Sequence, residues 1–418
     1  MEPILRLRVV YRPKLHGDLV VAALAGIKAL RAFAAMAIAT LTSACVTPTD
    51  FDTGGSIRAV KASVAELAAP QTVHFATTRC NDKLGGGPPG SVEEMYAKRC
   101  WDAALKEVEI TRLTFGLSEG PGVTCGTVQV NVEPLSAEPE AVTKIENAPL
   151  SHDCAGNFAK LRDVVLATPC RCALIFVHGY NTTFAFAAKR MAQLQADLKY
   201  EGRPILFSFG AAGRVGDYIN DTEAGELAAP ALNQLMVALA SAGATIDVIA
   251  HSMGVRLALR AMTDSNAPKL RYVILAAPDI DPAAFLNLTE KALPHMRRLT
   301  VYTSKFDVAM SASAAYHNGR SRVGEGLTAK IAEQLSGAEI IDATQRATGP
   351  YAHSYFAESK VMIEDIRAAL AGKAAQERKP LICNPAGPKS VVTCAMPCPE
   401  GAKCGPSTYA RFVHWLLD

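Results

Sequence analysis

The chain has 418 residues, of which 49% are apolar and 20% are charged, and its 43 basic and 40 acidic residues leave a formal charge of +3. This apolar fraction can bury a large core and excludes a wholly disordered chain. Because the charge is nearly balanced and no long basic stripe follows the N-terminus, we do not expect nucleic acid as a partner. No run of 18 uncharged apolar residues occurs, so no ordinary membrane-spanning helix is predicted.

The first 45 residues have the pattern of an export signal. Lys28 and Arg31 precede a short apolar stretch, which ends in small residues before Cys45, as in a secretory signal peptide. The segment Thr42-Ser-Ala-Cys45 resembles the lipobox of bacterial lipoproteins, in which the cysteine is acylated, although Thr42 stands where leucine is usual. We therefore expect export to the periplasmic side of the cell envelope, with a lipid anchor in the membrane at Cys45. An ordinary signal peptide cut nearby is the alternative.

Ten further cysteines follow Cys45, an even number that favours disulfides in an exported chain. They occur at positions 80, 100, 125, 154, 170, 172, 383, 394, 398 and 404. Cys80 and Cys100 flank a Gly- and Pro-rich loop and could pair, but spacing does not determine the connectivity. The last four cysteines lie in a Pro-rich tail that needs covalent links to be stable. A metal site there is less favoured, because the four include no CxxC pair and no histidine lies among them.

Alternating short apolar runs and helical patterns predict an α/β fold with a mainly parallel central sheet and helices on both faces. An N-terminal β extension and a Cys-rich C-terminal tail flank it. Strands are predicted at 73–77, 127–132, 173–177, 204–207, 245–250, 271–276, 298–303 and 339–341. Helices are predicted at 184–198, at 222–242 with an interruption near Pro230, at 253–262 and at 355–370. The expected regions are a signal and lipobox region 1–45, a tether 46–71, a domain 72–375 with its extension 72–170, and a tail 376–418.

The most informative segment is Ala250-His-Ser-Met-Gly254, which lies between a predicted buried strand and a predicted helix. It matches the G-x-S-x-G nucleophile elbow with alanine in place of the first glycine. In such a turn the serine has strained backbone angles, and the residues two positions away must be small. We therefore predict that Ser252 is a nucleophile presented at the N-terminus of a helix.

A serine hydroxyl needs a base, and the base needs a group that orients it. Asp307 follows the strand 298–303, and His353 lies in the loop between the strand 339–341 and the last helix. The order Ser252, Asp307, His353 is that of α/β-hydrolase triads. Asp279, after the strand 271–276, is the alternative acid. Because the base must be neutral, activity should fall below about pH 6.5, the ordinary histidine value.

The strand 173–177 leads into His178-Gly-Tyr-Asn181, and this segment is the expected second half of an oxyanion hole. In this type of site one N–H comes from the residue after the nucleophile, here Met253, and the other comes from the loop after an earlier strand. Tyr180 is our choice for the second donor, and Gly179 would let the backbone approach closely. His178 would then have a structural role.

Taken together, these segments resemble bacterial α/β hydrolases of unknown function that are esterase- or lipase-like. The resemblance covers about residues 72–370, and its marks are Phe75–Arg79, Phe176–Thr183, Phe207–Ser208, Ala250–Gly254, Leu275–Asp279 and Ala352–Tyr355. It implies the fold and a serine-hydrolase triad, but no substrate. Where the group usually has Trp-Pro, this chain has Phe209-Gly210, so the pocket wall there should differ.

The predicted function is hydrolysis of carboxylic esters through an acyl-enzyme, without a cofactor or metal. The expected substrate is a small or lipid-like ester. No segment is long enough for a large cap domain, so we expect an open pocket edged by Tyr218, Asp221 and residues 308–338. A lipase, thioesterase or peptidase with the same triad is the first alternative. A non-catalytic envelope lipoprotein is the second, since fold does not imply function.

Overall fold

The computed structural model describes residues 71–81, 115–130, 145–146, 154, 158–211, 217–347, 351–384, 392–398, 404–405, 411 and 414. The signal and lipobox region with Cys45, residues 46–70 of the expected tether, and Cys100 with its suggested pairing to Cys80 lie outside these residues. Within the described part of the chain, no helix is long and apolar enough to cross a membrane.

One sheet of eleven strands organises the described residues. The strands are β1 (Gln71–Asn81), β2 (Phe115–Val130), β3 (Ile145–Glu146), β4 (Cys172–Val177), β5 (Arg203–Ser208), β6 (Thr245–His251), β7 (Leu270–Ala276), β8 (Met296–Thr303), β9 (Ala338–Asp342), β10 (Ile382–Cys383) and β11 (Val392–Ala395). Their order across the sheet is β10-β11-β9-β8-β7-β6-β4-β5-β1-β2-β3. Between β1 and β11 in this order, each strand is parallel to its neighbours. The outer pairs β1–β2, β2–β3 and β10–β11 are antiparallel.

Helices connect the parallel strands. They are α1 (Ala159–Leu166), α2 (Phe184–Leu198), α3 (Tyr218–Ser241), α4 (Gly254–Met262), α5 (Pro282–Ala292), α6 (Val308–Tyr316), α7 (Ala329–Ala332), α8 (Tyr355–Glu358) and α9 (Lys360–Leu370). Single 3-10 turns lie at Leu293–His295, Val323–Glu325, Thr344–Arg346 and Ala375–Glu377. The predicted fold class, a mainly parallel sheet with helices on both faces, is confirmed.

The core is divided between the two faces of the sheet, as β4 shows. Leu174 and Phe176 pack into one cluster with side chains of α2, α8 and α9, whereas Ile175 and Val177 pack into the other with side chains of α3 and α4. Every residue of β4 is buried. A strand covered on both faces has no polar alternation, so an unbroken apolar run predicted it correctly.

Two predicted helices differ in detail from the structure. The interruption predicted near Pro230 is wrong, because α3 runs through that proline without a break. The helix predicted over 355–370 is two helices, since Ser359 adopts an extended conformation between α8 and α9.

Strands outside the central segment extend the sheet at both edges. β1, which is antiparallel to β2, pairs with β5, and β11 from the Cys-rich tail pairs with β9. The disulfides among described residues are Cys125–Cys154, Cys170–Cys172, Cys383–Cys394 and Cys398–Cys404. The third of these links β10 to β11. Part of the tail is therefore built into the central sheet.

Candidate active site

Ser252 lies in a tight turn between β6 and α4. Its φ is 54°, a left-handed value that is strained for a residue with a side chain. A Cβ added at Gly254 would lie 2.1 Å from the carbonyl oxygen of His178, so only glycine fits there. The turn is thus pressed against the end of β4, and the geometry is that of the predicted elbow.

Asp307 and His353 meet at the carboxyl edge of the same sheet. His353 Nδ1–H donates to Asp307 Oδ2 at 2.7 Å, and both side chains are fully buried. With the proton on Nδ1, the lone pair of the neutral ring is on Nε2. Burial raises the pKa of the Asp307 carboxyl, and the adjacent His353 opposes this rise. The pair has the orientation that a general base and its orienting acid require.

His251 connects the elbow to the loop that carries His353. It directly precedes Ser252, its Nε2–H donates to the carbonyl oxygen of His353 at 3.3 Å, and the two rings are 4.5 Å apart. Burial, with His353 nearby, lowers the pKa of His251 well below its ordinary value, so its ring is neutral. The proposed nucleophile and base therefore belong to neighbouring loops joined by one side chain.

The carboxylate of Asp279, the alternative acid, binds an arginine and two hydroxyl groups. Its carboxylate accepts from Arg322 at 2.8 Å, from Ser313 at 2.6 Å and from Tyr218 at 2.9 Å. Its backbone N–H donates to the carbonyl oxygen of Ser252 at 3.2 Å. Asp279 thus supports the elbow through its backbone N–H, while Asp307 holds the histidine.

One predicted oxyanion residue lies in the elbow, and the other lies in the loop that packs against it. Met253 immediately precedes α4, and the first amides of a helix have no intrahelical acceptor. Tyr180 follows β4, and a Cβ added at Gly179 would lie 2.8 Å from the Cβ of Ser252. The close approach of the two loops depends on this glycine, as predicted.

His178 has the structural role predicted for it. Its Nδ1–H donates to the carbonyl oxygen of Gly179 at 2.8 Å, and its Nε2 accepts from the N–H of Phe209 at 3.2 Å. Burial lowers the pKa of His178 to about 3. Its neutral ring joins the ends of β4 and β5.

Arg79, at the end of β1, is a site residue to which the sequence analysis gave no role. Its side chain is buried and donates to the carbonyl oxygens of Thr182 and Ala211 and to the hydroxyl of Ser208. It thereby holds the Tyr180 loop against the ends of β1 and β5. Arg79 belongs to the Phe75–Arg79 segment of the family resemblance, but its partners are more than 90 residues away in sequence and leave no local signal.

Asp221 and the C-terminal tail also support the site. Asp221, in the first turn of α3, is buried and accepts from the N–H of Asn181 at 3.0 Å. His414 contacts the ring of Phe306, next to Asp307, and lies 3.0 Å from the hydroxyl of Ser311. Asp221, expected at the pocket edge, therefore supports the loop of Tyr180 and Asn181. His414 of the tail reaches the loop of Asp307, a contact that the sequence gave no reason to expect.

Comparison with known proteins assigns the family. A model of α/β hydrolases of unknown function (DUF900) matches residues 156–372, which is just over half of the chain. The chain belongs to this family. The α/β hydrolase has no match among curated proteins.

Solved structures similar to this α/β hydrolase include the esterase Pf2001 of Pyrococcus furiosus in two crystal forms. In one form it has 15% identity and a TM-score of 0.24, covering 40% of this chain and 70% of the other. In the second form the identity is 11% and the TM-score 0.22, covering 59% and 82%. Wild-type AbyA5 has 15% identity and a TM-score of 0.23, covering 62% and 61%.

Proposed function

We propose that this α/β hydrolase is a serine esterase that cleaves carboxylic esters through an acyl-enzyme. The observation that carries the proposal is the buried Asp307–His353 pair, 2.7 Å apart, whose loop is hydrogen-bonded to His251, the residue before the strained Ser252. A carboxylate that orients a neutral imidazole, with a strained serine on the neighbouring loop, is the arrangement that makes a hydroxyl nucleophilic.

In the proposed mechanism, Nε2 of His353 removes the proton from Ser252 as the oxygen attacks the ester carbonyl. The N–H groups of Met253 and Tyr180 stabilise the oxyanion, and each such donor contributes about 100- to 1,000-fold in rate. His353 then protonates the departing alkoxide. A water molecule, activated by the same base, hydrolyses the acyl-enzyme. Asp307 keeps the required tautomer throughout.

The test is labelling by a fluorophosphonate probe together with hydrolysis of nitrophenyl esters. We expect the wild-type protein to be labelled and active, and Ser252→Ala to lose both properties. Ser265→Ala, the same substitution at an exposed serine in the turn after α4, is the matched control and should still be labelled. Turnover by Ser252→Ala at the wild-type rate would refute the proposal.

A chain-length series of esters, a thioester and a peptide would separate the esterase from a lipase, thioesterase or peptidase with the same residues. An absence of labelling in folded wild-type protein would favour the non-catalytic lipoprotein instead.

We also propose that the protein is exported and anchored in the membrane through Cys45. The four described disulfides support the export, since such bonds persist in oxidising compartments. Labelled palmitate should be incorporated by the wild type and not by Cys45→Ser. Equal labelling of both proteins would contradict the proposal.

A further inference from the structure

Four rings line one side of the candidate site. The ring of Tyr218 lies 5.2 Å from that of Tyr180 and 5.3 Å from those of Tyr316 and His317. The rings are tilted or edge-to-face, an arrangement that aromatic groups prefer. We call Tyr180, Tyr218, Tyr316 and His317 the aromatic wall.

Three contacts place the wall beside the proposed reacting groups. Tyr180 is itself the proposed oxyanion residue. Thr222, one turn after Tyr218 in α3, has its hydroxyl 3.8 Å from the sulfur of Met253. The hydroxyl of Tyr218 donates to Asp279, whose backbone N–H binds the carbonyl oxygen of Ser252. The wall therefore begins next to both oxyanion residues and the nucleophile.

The central ring of the wall is held in one orientation. Asp279 is fixed by Arg322 and Ser313, and all three side chains are buried. Burial, followed by the charge of Asp279, raises the pKa of Tyr218, so its phenol stays neutral. A side chain ordered before a ligand arrives costs little entropy to use for binding.

The outer part of the wall reaches solvent. Tyr316 is 44% exposed. The ring contacts thus run from Tyr180, the proposed oxyanion residue, through Tyr218 to an exposed ring. A flat apolar group attached to an ester could lie along these rings while the carbonyl carbon reaches Ser252.

We propose that the aromatic wall binds a planar aromatic group on the acyl side of the substrate, so that the preferred substrates are esters of aromatic acids. This inference rests on the proposed esterase function. Ring-to-ring contacts add stabilisation beyond the area they bury, which a saturated ring of the same size does not gain. The wall therefore discriminates between an aromatic and an alicyclic group of equal volume.

The experiment compares methyl benzoate with methyl cyclohexanecarboxylate, followed by acid release at constant pH. Tyr218→Leu should lower kcat/KM for methyl benzoate about three- to tenfold more than for the alicyclic ester. Tyr218→Phe keeps the ring and should retain most of the selectivity. Tyr316→Leu removes an exposed ring without touching the Asp279 contacts, and it should also lower the benzoate preference. The hydroxyl of Tyr200 binds Asp247 near the start of β6, away from the wall. Tyr200→Phe is therefore the control and should leave the ratio of the two kcat/KM values unchanged.

Equal losses for the two esters in both leucine variants would overturn the proposal, as would a wild-type preference for methyl octanoate or an acetylated sugar over methyl benzoate. Either result with fluorophosphonate labelling intact would leave the esterase function standing. If the folded protein is neither labelled nor active on any ester, both proposals fail together.

Discussion

The Nε2–H of His251 donates a hydrogen bond to the carbonyl oxygen of His353, so the residue before the proposed nucleophile holds the loop of the proposed base. The contact is buried on both sides. It joins two turns that are far apart in the chain and gives His251 a positioning role, distinct from proton transfer.

Replacing His251 should therefore affect kcat more than KM. His251→Phe removes the donor, and a misplaced base should lower kcat about 10- to 100-fold, with KM changed less than about threefold. His251→Gln keeps a donor and should recover part of the loss. Steady-state kinetics on a short-chain ester measures both constants. Wild-type kcat in the phenylalanine variant would show that the contact has no positioning role.

Replacing Asp307 should mainly lower kcat, whereas replacing Asp279 should mainly lower stability. Asp307→Asn should lower kcat about 10,000-fold, because the asparagine favours the wrong tautomer of His353. Asp279→Asn leaves Arg322 buried beside a neutral group and should mainly lower the free energy of unfolding, by about 3 kcal/mol. Kinetics and urea unfolding on the two variants separate these effects. A loss of kcat in Asp279→Asn that is much larger than in Asp307→Asn would assign the acid to Asp279.

Arg79 should act on the rate through the Tyr180 loop. Arg79→Ala should lower kcat about 10- to 100-fold, because an oxyanion donor that is displaced loses its effect. Adding millimolar guanidinium should restore part of the rate, since the cation can occupy the vacated site, whereas sodium chloride at equal ionic strength should not. Arg260→Ala, at an exposed ion pair on α4, is the matched control. Wild-type kcat in Arg79→Ala would refute the role.

The buried histidines should make the protein less stable in acid. Burial lowers the pKa of His74 to about 4 and that of His178 to about 3. Below about pH 6.5 the unfolded chain binds protons that the folded chain does not, so each histidine lowers stability as the pH falls toward its folded value. His74→Gln should reduce the slope of unfolding free energy against pH by about 1.4 kcal/mol per pH unit between about pH 4.5 and 6.

Urea unfolding at several pH values measures that slope. Buried carboxyls with a raised pKa, such as Asp307, act in the opposite direction but contribute equally to both proteins. An unchanged slope in His74→Gln would contradict the prediction.

The elements at the centre of the sheet were predictable because their burial leaves a local mark. The fully buried β4 is an apolar run, and the elbow needs small residues at fixed spacing. The helix α5 was missed, although Asp281 caps it and Pro282 begins it, a recognised start signal. What could not be predicted depends on distant contacts: the pairing of β11 with β9, the reach of Arg79 from β1, and the position of His414 beside Ser311.

The strands at the two edges of the sheet limit how short an expressed fragment of this protein can be. A fragment cut at residues 156–372, the span the family shares, would lose β1 and β11 and leave the main-chain groups of β5 and β9 open to solvent. Unpaired edge strands form hydrogen bonds with strands of other molecules, so the fragment should aggregate or form oligomers. It would also lack the guanidinium of Arg79. The minimal active unit is therefore larger than the segment recognised in its relatives.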